Sequence, residues 1–233
     1  KAIALHLSTQ GFNIVLSFKK DEKAAAQVVS DIQKSGGAAE MIRADLSLAD
    51  SANDITRTTI ERFGRIDVLI NNAGVSSNKS LIADTPDLEW NEIIEVNLHG
   101  VFRMMKAVVP HMRQQKKGNI VNISSNITKR LAPTFGTYAI SKAALETMTQ
   151  IVAKEEAANG IRVNAVAPGP IKTDMLEKLL KEMGAKRAKS FVDSMPMKRM
   201  GTADEIANMV AMLTSDVASF VNGQIIYVNG GGP

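Results

Sequence analysis

The sequence predicts an α/β fold, a doubly wound parallel sheet of the Rossmann-like kind in a single domain. Three observations predict it. Short apolar runs alternate with amphipathic stretches of helical period along the whole chain. Runs such as Ile66 to Ile70 are apolar enough to be buried on both faces, as strands of parallel sheets are. The polar clusters at Asp45, Asn71 to Gly74, Ser124-Ser125 and Pro168 to Thr173 each follow a predicted strand, at the carboxyl ends where open α/β sheets bind ligands.

In chain order, Lys1 to Gln10 reads as a helix stopped by Gly11, and Asn13 to Phe18 as a short buried strand. Asp21 to Ser35 is an amphipathic helix ended by Gly36-Gly37, and Ala38 to Ala44 is a strand that runs into Asp45-Leu46. Ser51 to Phe63 is helical up to Gly64, and the strand Ile66 to Ile70 ends at Asn71-Asn72-Ala73-Gly74. One long helix carries Trp90, Ile93, Val96, Val101 and Met105, with a bend near Gly100, before the strand Asn119 to Ile123. A polar, irregular segment leads to a helix from Tyr138 to about Asn159, then to a strand Arg162 to Ala167 broken by Pro168-Gly169-Pro170. Residues 174 to 200, with Met195, Met197 and Met200 around Pro196, read as an inserted substrate lid. A helix Ala203 to Leu213 and a closing strand Gly223 to Val228 complete one domain spanning 1 to 233, with at least five strands in its sheet.

Composition removes several functions. Of 233 residues, 45% are hydrophobic, yet no apolar run reaches the roughly 18 residues of a membrane span, and no secretory signal is evident, so a cytoplasmic protein is expected. The absence of cysteine rules out disulfides and thiolate nucleophiles, and His6, His99 and His111 lack a ligand spacing, so no metal is expected. The net charge of +4 suits an anionic ligand, but the cations are interspersed with acids, which argues against nucleic acid as a partner. Asn122 and Asn126 match the glycosylation pattern, which has no meaning in a cytoplasmic chain.

The chemistry concentrates between Ile120 and Lys142. Tyr138 and Lys142 stand one turn apart on one helical face, and an ammonium near a phenol favours its ionised form, which would make a general acid or base. Ser125, at the end of the preceding strand, could bond the same substrate oxygen and stabilise developing charge. Asn97 lies mid-helix, where asparagine is intrinsically poor and a local task such as binding a water is indicated. Taken singly, each piece also has an ordinary reading: an exposed aromatic beside a solvated lysine, a strand end, a turn, a solvent-facing amide.

Together and in this order, Asn71-Asn72-Ala73-Gly74, Asn97, Ser125, Tyr138-x-x-x-Lys142 and Pro168-Gly169-Pro170-Ile171-Lys172-Thr173 resemble the short-chain dehydrogenase/reductase family over essentially the whole chain. The ending, from Arg199-Met-Gly201 through Glu205 to Val228-Asn-Gly-Gly231, is similar to its 3-oxoacyl-acyl-carrier-protein reductase branch. The resemblance implies that Tyr138 donates a proton to a carbonyl oxygen, that Lys142 lowers its pKa and holds the nicotinamide ribose, that Ser125 polarises the carbonyl, and that Asn97 supports a relay water. It selects Ser125 over Ser124, because Ser125 lies thirteen positions before Tyr138. It also places Asp45 and Leu46 at the adenine, Asn72, Ala73 and Gly74 at the adenosine side, and Pro168, Gly169, Ile171 and Thr173 at the nicotinamide and pyrophosphate.

Where members that prefer NAD(H) carry an acid after the second strand, this chain has Ser17-Phe18-Lys19-Lys20, so NADP(H) is expected over NAD(H), with Lys19 as a contact. Family members also have a first strand and a glycine-rich loop before the helix that begins here at Lys1. The expectation is that an N-terminal segment of the natural protein is missing from this sequence, which would deprive neighbouring strands of ladder partners. The leading expectation for function is NADPH-dependent reduction of a 3-oxoacyl thioester. The alternatives are a dehydrogenase of a sugar, polyol or other secondary alcohol, and a non-catalytic dinucleotide sensor. Substrate choice falls to residues 76 to 81, 126 to 135 and the lid. Asn159 stands where carrier-docking reductases often have a basic residue, leaving Lys116, Lys117 and Arg130 to meet an acyl carrier protein. The resemblance also implies association into a homodimer or homotetramer through the long helices near Val101 and Leu145.

Overall fold

The strands of this chain are short because each ends where a polar or glycine-containing turn leaves the sheet, and all of them pair in parallel. A computed structural model describes residues 1–232; the side chains of Asp174, Met175, Lys178 and Leu179 lie outside the description. Helix α1 (Ala2–Thr9) leads through Gly11, at φ +87°, into β1 (Ile14–Phe18). Helix α2 (Glu22–Lys34) starts at Asp21, whose carboxylate accepts from the Ala24 N–H at 2.9 Å, and precedes β2 (Ala39–Arg43). Next come α3 (Ser51–Phe63), β3 (Val68–Asn71), α4 (Asp87–Ile94), α5 (Gly100–Gln115) and β4 (Gly118–Ile123). The chain continues with α6 (Ile127–Arg130), α7 (Gly136–Glu156), β5 (Ile161–Pro168), the pair α8 (Asp174–Met183) and α9 (Ala185–Ser194), α10 (Ala203–Thr214) and β6 (Ile225–Val228).

Strands β3-β4-β5-β6 form one sheet in that order, while β1 and β2 form a separate pair. Neither β1 nor β3 has a ladder partner on its other side among the described residues, so the expected single sheet of at least five strands is two sheets. None of the residues of β1 is fully buried, in place of the buried strand expected.

The four-stranded sheet is covered on both faces. Side chains alternate across a strand, so Ile120 of β4 packs with α3, α5 and α7 through Ile55, Met105, Met112 and Leu145. Its neighbour Val121 packs the other way, against Val210 and Leu213 of α10. A third cluster holds α2 to the small sheet through Val28, Ile32 and Ala39.

Two local features depart from the sequence reading. The long helix around Gly100 is interrupted by a π-type turn at Glu95–His99, which separates α4 from α5 and contains Asn97. Gly100 is glycine because a Cβ there would stand 3.0 Å from the Leu46 carbonyl oxygen. The segment after β4 is not wholly irregular, since α6 occupies its first half, and the proposed lid is a pair of helices joined at Gly184.

Candidate active site

The loop after β4 is held by an extension of the ladder with β5. Ser124 N–H donates to the Val166 carbonyl at 2.7 Å and Asn126 N–H to the Pro168 carbonyl at 2.8 Å, so Ser125 sits on fixed backbone between them. The Ile127 N–H donates to Ser125 Oγ at 3.3 Å. Tyr138, in the first turn of α7, is hydrogen-bonded through its phenol to Ser125. One turn on, Lys142 is buried, its Nζ donating to the Ile123 carbonyl at 2.8 Å and lying 5.8 Å from the centre of the Tyr138 ring. The choice of Ser125 over Ser124 has a geometric basis, because Ser124 Oγ points elsewhere and donates to Glu146 at 2.7 Å.

Gly74 closes the arrangement from the end of β3. A Cβ there would lie 3.3 Å from Asn97 Oδ1 and 3.4 Å from Lys142 Nζ, so the missing side chain is what lets three elements meet. Asn97 is completely buried, and its amide is more committed than the sequence indicated. Oδ1 accepts from the Val75 N–H at 2.8 Å, and Nδ2 donates to the Val75 carbonyl at 2.9 Å and to Ser141 Oγ at 3.1 Å. With both amide hydrogens bonded, the side chain pins the loop after β3 to α7. Beneath the site, Asn71 Nδ2 donates to Asn122 Oδ1 and Asn122 Nδ2 to Thr149 Oγ1, both at 2.8 Å. That buries the Asn122 side chain completely, so the glycosylation pattern there is inaccessible.

The electrostatics correct one expectation. Burial pulls the Lys142 amine down from its ordinary 10.5 to about 8. Burial pushes the Tyr138 phenol up, and the hydrogen bond from Ser125 opposes it without prevailing. The net direction is therefore upward, against the lowering expected, because burial outweighs the influences that favour the ionised phenol.

Apart from Tyr138 and Lys142 on α7, the residues expected at a dinucleotide lie at or just beyond carboxyl ends of strands. Asn72, Ala73 and Gly74 follow β3, exposed. Beyond β5, the Gly169 N–H donates to the Val228 carbonyl at 2.9 Å, and a Cβ on Gly169 would come within 2.7 Å of Asn229 Cα. Ile171 bridges to Gly201, and Thr173 caps α8, accepting from the Leu176 N–H at 3.4 Å. Leu46 is tied to the start of α5 by Arg103, whose Nη1 donates to the Leu46 carbonyl at 3.4 Å. Lys19 and Asp45, read separately from the sequence, pair with each other at 2.8 Å. The Lys19 ammonium and two hydrogen bonds from Ser47 bring the Asp45 carboxyl down to about 2.

The basic residues named for an acidic partner lie at two different ends of the sheet. Lys116 and Lys117 precede β4, whereas Ser125 follows it; at about 3.3 Å per residue, this six-residue strand puts the two cations at the far end of the sheet from the site. Asn159 precedes β5 at that same end and donates to Glu156 at 3.0 Å. Only Arg130 is on the site side, its guanidinium 5.8 Å from the Phe191 ring of α9. Val101 and Leu145 are core residues, so the apolar side chains that α5 and α7 present outward are Phe102, Ile140 and Ile151. The sequence reading missed Ser141 and Glu146, although both lie in α7 beside or one turn beyond Lys142.

Among the described residues, no group of acids and histidines could hold a metal, and no helix is long and apolar enough to cross a membrane. A family model described as enoyl-(acyl carrier protein) reductase matches residues 1–232. The 3-oxoacyl-(acyl-carrier-protein) reductase FabG of Staphylococcus epidermidis is 35% identical over 231 residues, covering 99% of this chain and 93% of that protein. The crystal structure of levodione reductase superposes with a TM-score of 0.93 at 33% identity, covering 99% of this chain and 91% of that one. NAD+-bound xylitol dehydrogenase superposes at 0.92 with 28% identity, covering 99% and 93%. Since the match of sequence and fold runs through every element that builds the Ser125, Tyr138 and Lys142 cluster, the chain belongs to the short-chain dehydrogenase/reductase family of oxidoreductases.

Proposed function

We propose that the protein reduces a ketone to a secondary alcohol with NADPH, and that its substrate is a 3-oxoacyl thioester, on coenzyme A or an acyl carrier protein. The observation that carries this reading is the hydrogen-bonded Ser125 and Tyr138 pair above the buried Lys142 ammonium. A phenol raised by burial stays protonated at neutral pH, which suits a donor to the carbonyl oxygen. Ser125 donates to the same oxygen as charge develops on it, and Asn97 keeps Gly74 and Val75 in place beside Lys142.

The residues present fit a nicotinamide dinucleotide. Asn72 to Gly74 offer bare backbone, and Lys142 gives one of its three hydrogens to Ile123, leaving two for ribose hydroxyls. Asp45 and Leu46 would border the adenine, Lys19 and Lys20 would attract a 2′-phosphate, and Pro168, Gly169, Ile171 and Thr173 would border the nicotinamide end. When bound, the cofactor supplies the hydride, and the protein supplies orientation and the proton. Exposed Leu81, Leu131 and Met197, in the segments after β3 and around α6 and α9, suit an acyl chain at the mouth. On this reading α8 and α9 act as the lid, the protein is cytoplasmic, and a homodimer or homotetramer forms through the outward faces of α5 and α7.

A second reading is oxidation of a polyol with NAD+. The Lys19 and Asp45 pair favours it, because a neutralised Lys19 attracts a 2′-phosphate less strongly, and the likeness to NAD+-bound xylitol dehydrogenase agrees with it. Oxidation of NADPH and of NADH, each with acetoacetyl-CoA, and reduction of NAD+ with xylitol separate the two. NADPH turnover on the thioester is expected; preferential NAD+ reduction by xylitol would overturn the proposal. Tyr138→Phe is expected to abolish turnover while NADPH fluorescence still reports binding, and retained turnover would remove the proton-donor role.

A further inference from the structure

Glu146 is a carboxylate on α7 whose partners come from three other parts of the chain. It follows Lys142 by four residues and Tyr138 by eight, on the same side of the helix. Its Oε1 accepts from Ser124 Oγ at 2.7 Å and from Thr128 Oγ1 at 2.9 Å. Its Oε2 accepts from the Tyr227 hydroxyl of β6 at 3.2 Å. Thr128 Oγ1 also lies 3.1 Å from the Ser125 carbonyl oxygen and 3.1 Å from the Tyr227 hydroxyl. The Lys129 ammonium lies 5.9 Å from the centre of the Tyr227 ring.

Ser124 and Thr128 bracket Ser125, and both hydroxyls converge on one oxygen of Glu146. The three-residue span between strand and short helix is therefore clamped from the side by the helix that carries Tyr138 and Lys142. We propose that Glu146 is a positioning residue, setting where Ser125 Oγ stands relative to the Tyr138 phenol by holding Ser124 and Thr128; this rests on the catalytic reading above. A carboxylate suits the task because it accepts several hydrogen bonds and donates none. Charge-assisted bonds to hydroxyls are also shorter and stronger than neutral ones.

The Ser125 hydrogen bond is the one influence that opposes the burial-driven rise at Tyr138. Releasing Ser125 should therefore leave the phenol higher still, a change that loss of general stability would not produce. Ser125 after β4 bonds this phenol, and Lys142 on its own helix lies 5.8 Å from the ring centre.

The test compares Glu146→Leu, which removes both acceptors at similar size, with Glu146→Gln, which keeps one. Two readouts are needed: kcat and KM for acetoacetyl-CoA with NADPH, and the phenol ionisation midpoint from ultraviolet absorbance. The chain holds two tyrosines, so subtracting the matching Tyr138→Phe protein isolates the Tyr138 signal. Glu146→Leu is expected to lower kcat at least tenfold, leave the NADPH Kd within twofold, and raise the Tyr138 midpoint, with Glu146→Gln recovering most of both. A lowered melting temperature with kcat and midpoint unchanged would overturn the proposal. Should Glu146→Leu fail to fold, Ser124→Ala and Thr128→Val read the same two quantities, and wild-type values in both would overturn it equally. The catalytic reading fails separately, through a Tyr138→Phe protein that still turns over, while the absorbance arm tests the positioning role without activity.

Discussion

Replacing Lys142 by methionine should make the protein without cofactor more stable at neutral pH while abolishing turnover. The Lys142 ammonium is buried, and its pKa falls from 10.5 to about 8. At about 1.4 kcal/mol per pH unit, that drop means that folding with the charged form costs about 3 kcal/mol. The sign follows from proton binding: between about pH 8 and 10.5 the unfolded chain holds the proton that the folded chain has lost, so wild-type stability from this group rises with pH across that window. The benefit is complete above 10.5 and lost as pH falls through 8. The methionine variant lacks this dependence. Urea unfolding of both proteins from pH 7 to 11 should show the wild type gaining about 3 kcal/mol on the variant. At pH 7 the gain for methionine is reduced by about 1 kcal/mol, because the Ile123 carbonyl loses its partner. The melting temperature of a chain this long moves about 2–4 °C per kcal/mol, so the variant should melt several degrees higher at pH 7. Parallel stability curves for the two proteins would refute the assignment of burial as the dominant influence on Lys142.

The remaining predictions concern the groups around that lysine and one distant pair. Gly74→Ala places a methyl 3.3 Å from Asn97 Oδ1 and 3.4 Å from Lys142 Nζ. Because Asn97 is held by three hydrogen bonds, kcat should fall about tenfold with stability changed by less than about 1 kcal/mol, checked by kinetics and urea unfolding. Asp45→Asn releases the Lys19 ammonium, so the ratio of NADH to NADPH dissociation constants should rise roughly fivefold at low salt and much less at high salt. Arg113→Ala strips the guanidinium from Glu156, whose side chain is 3% exposed, and should lower the urea midpoint at neutral pH, with Asn159 as the remaining partner. Arg113 holds the Glu156 carboxyl below its ordinary 4.5, so its stabilisation is complete above that pH and is lost as pH falls below it. The difference between the two proteins should therefore narrow in acid.

Much of this molecule is written in local pattern. The helix Ser51 to Phe63 has the bounds its period and Gly64 indicate, and Tyr138 with Lys142 needs only the helical repeat to be placed on one face. Other elements escaped because their cause is not local. The π turn at Glu95–His99 accompanies the insertion of Asn97 between Val75 and Ser141, partners 22 and 44 residues away. Helix α6 is one turn long, too short to leave a periodic signature.

The site divides along the same line. Residue spacing sufficed to assemble Ser125, Tyr138 and Lys142 as candidates, because strand ends and helix faces follow from periods of two and 3.6. It could not reveal that Lys19 spends its charge on Asp45, that Asn97 holds backbone, or that Glu146 gathers three hydroxyls. Nor could it give the direction in which Tyr138 shifts. Burial sets that direction against the Ser125 hydrogen bond, and both arise only when α7 is laid across the end of β4. Desolvation and pairing depend on neighbours brought together by folding, and neither has a period along the chain.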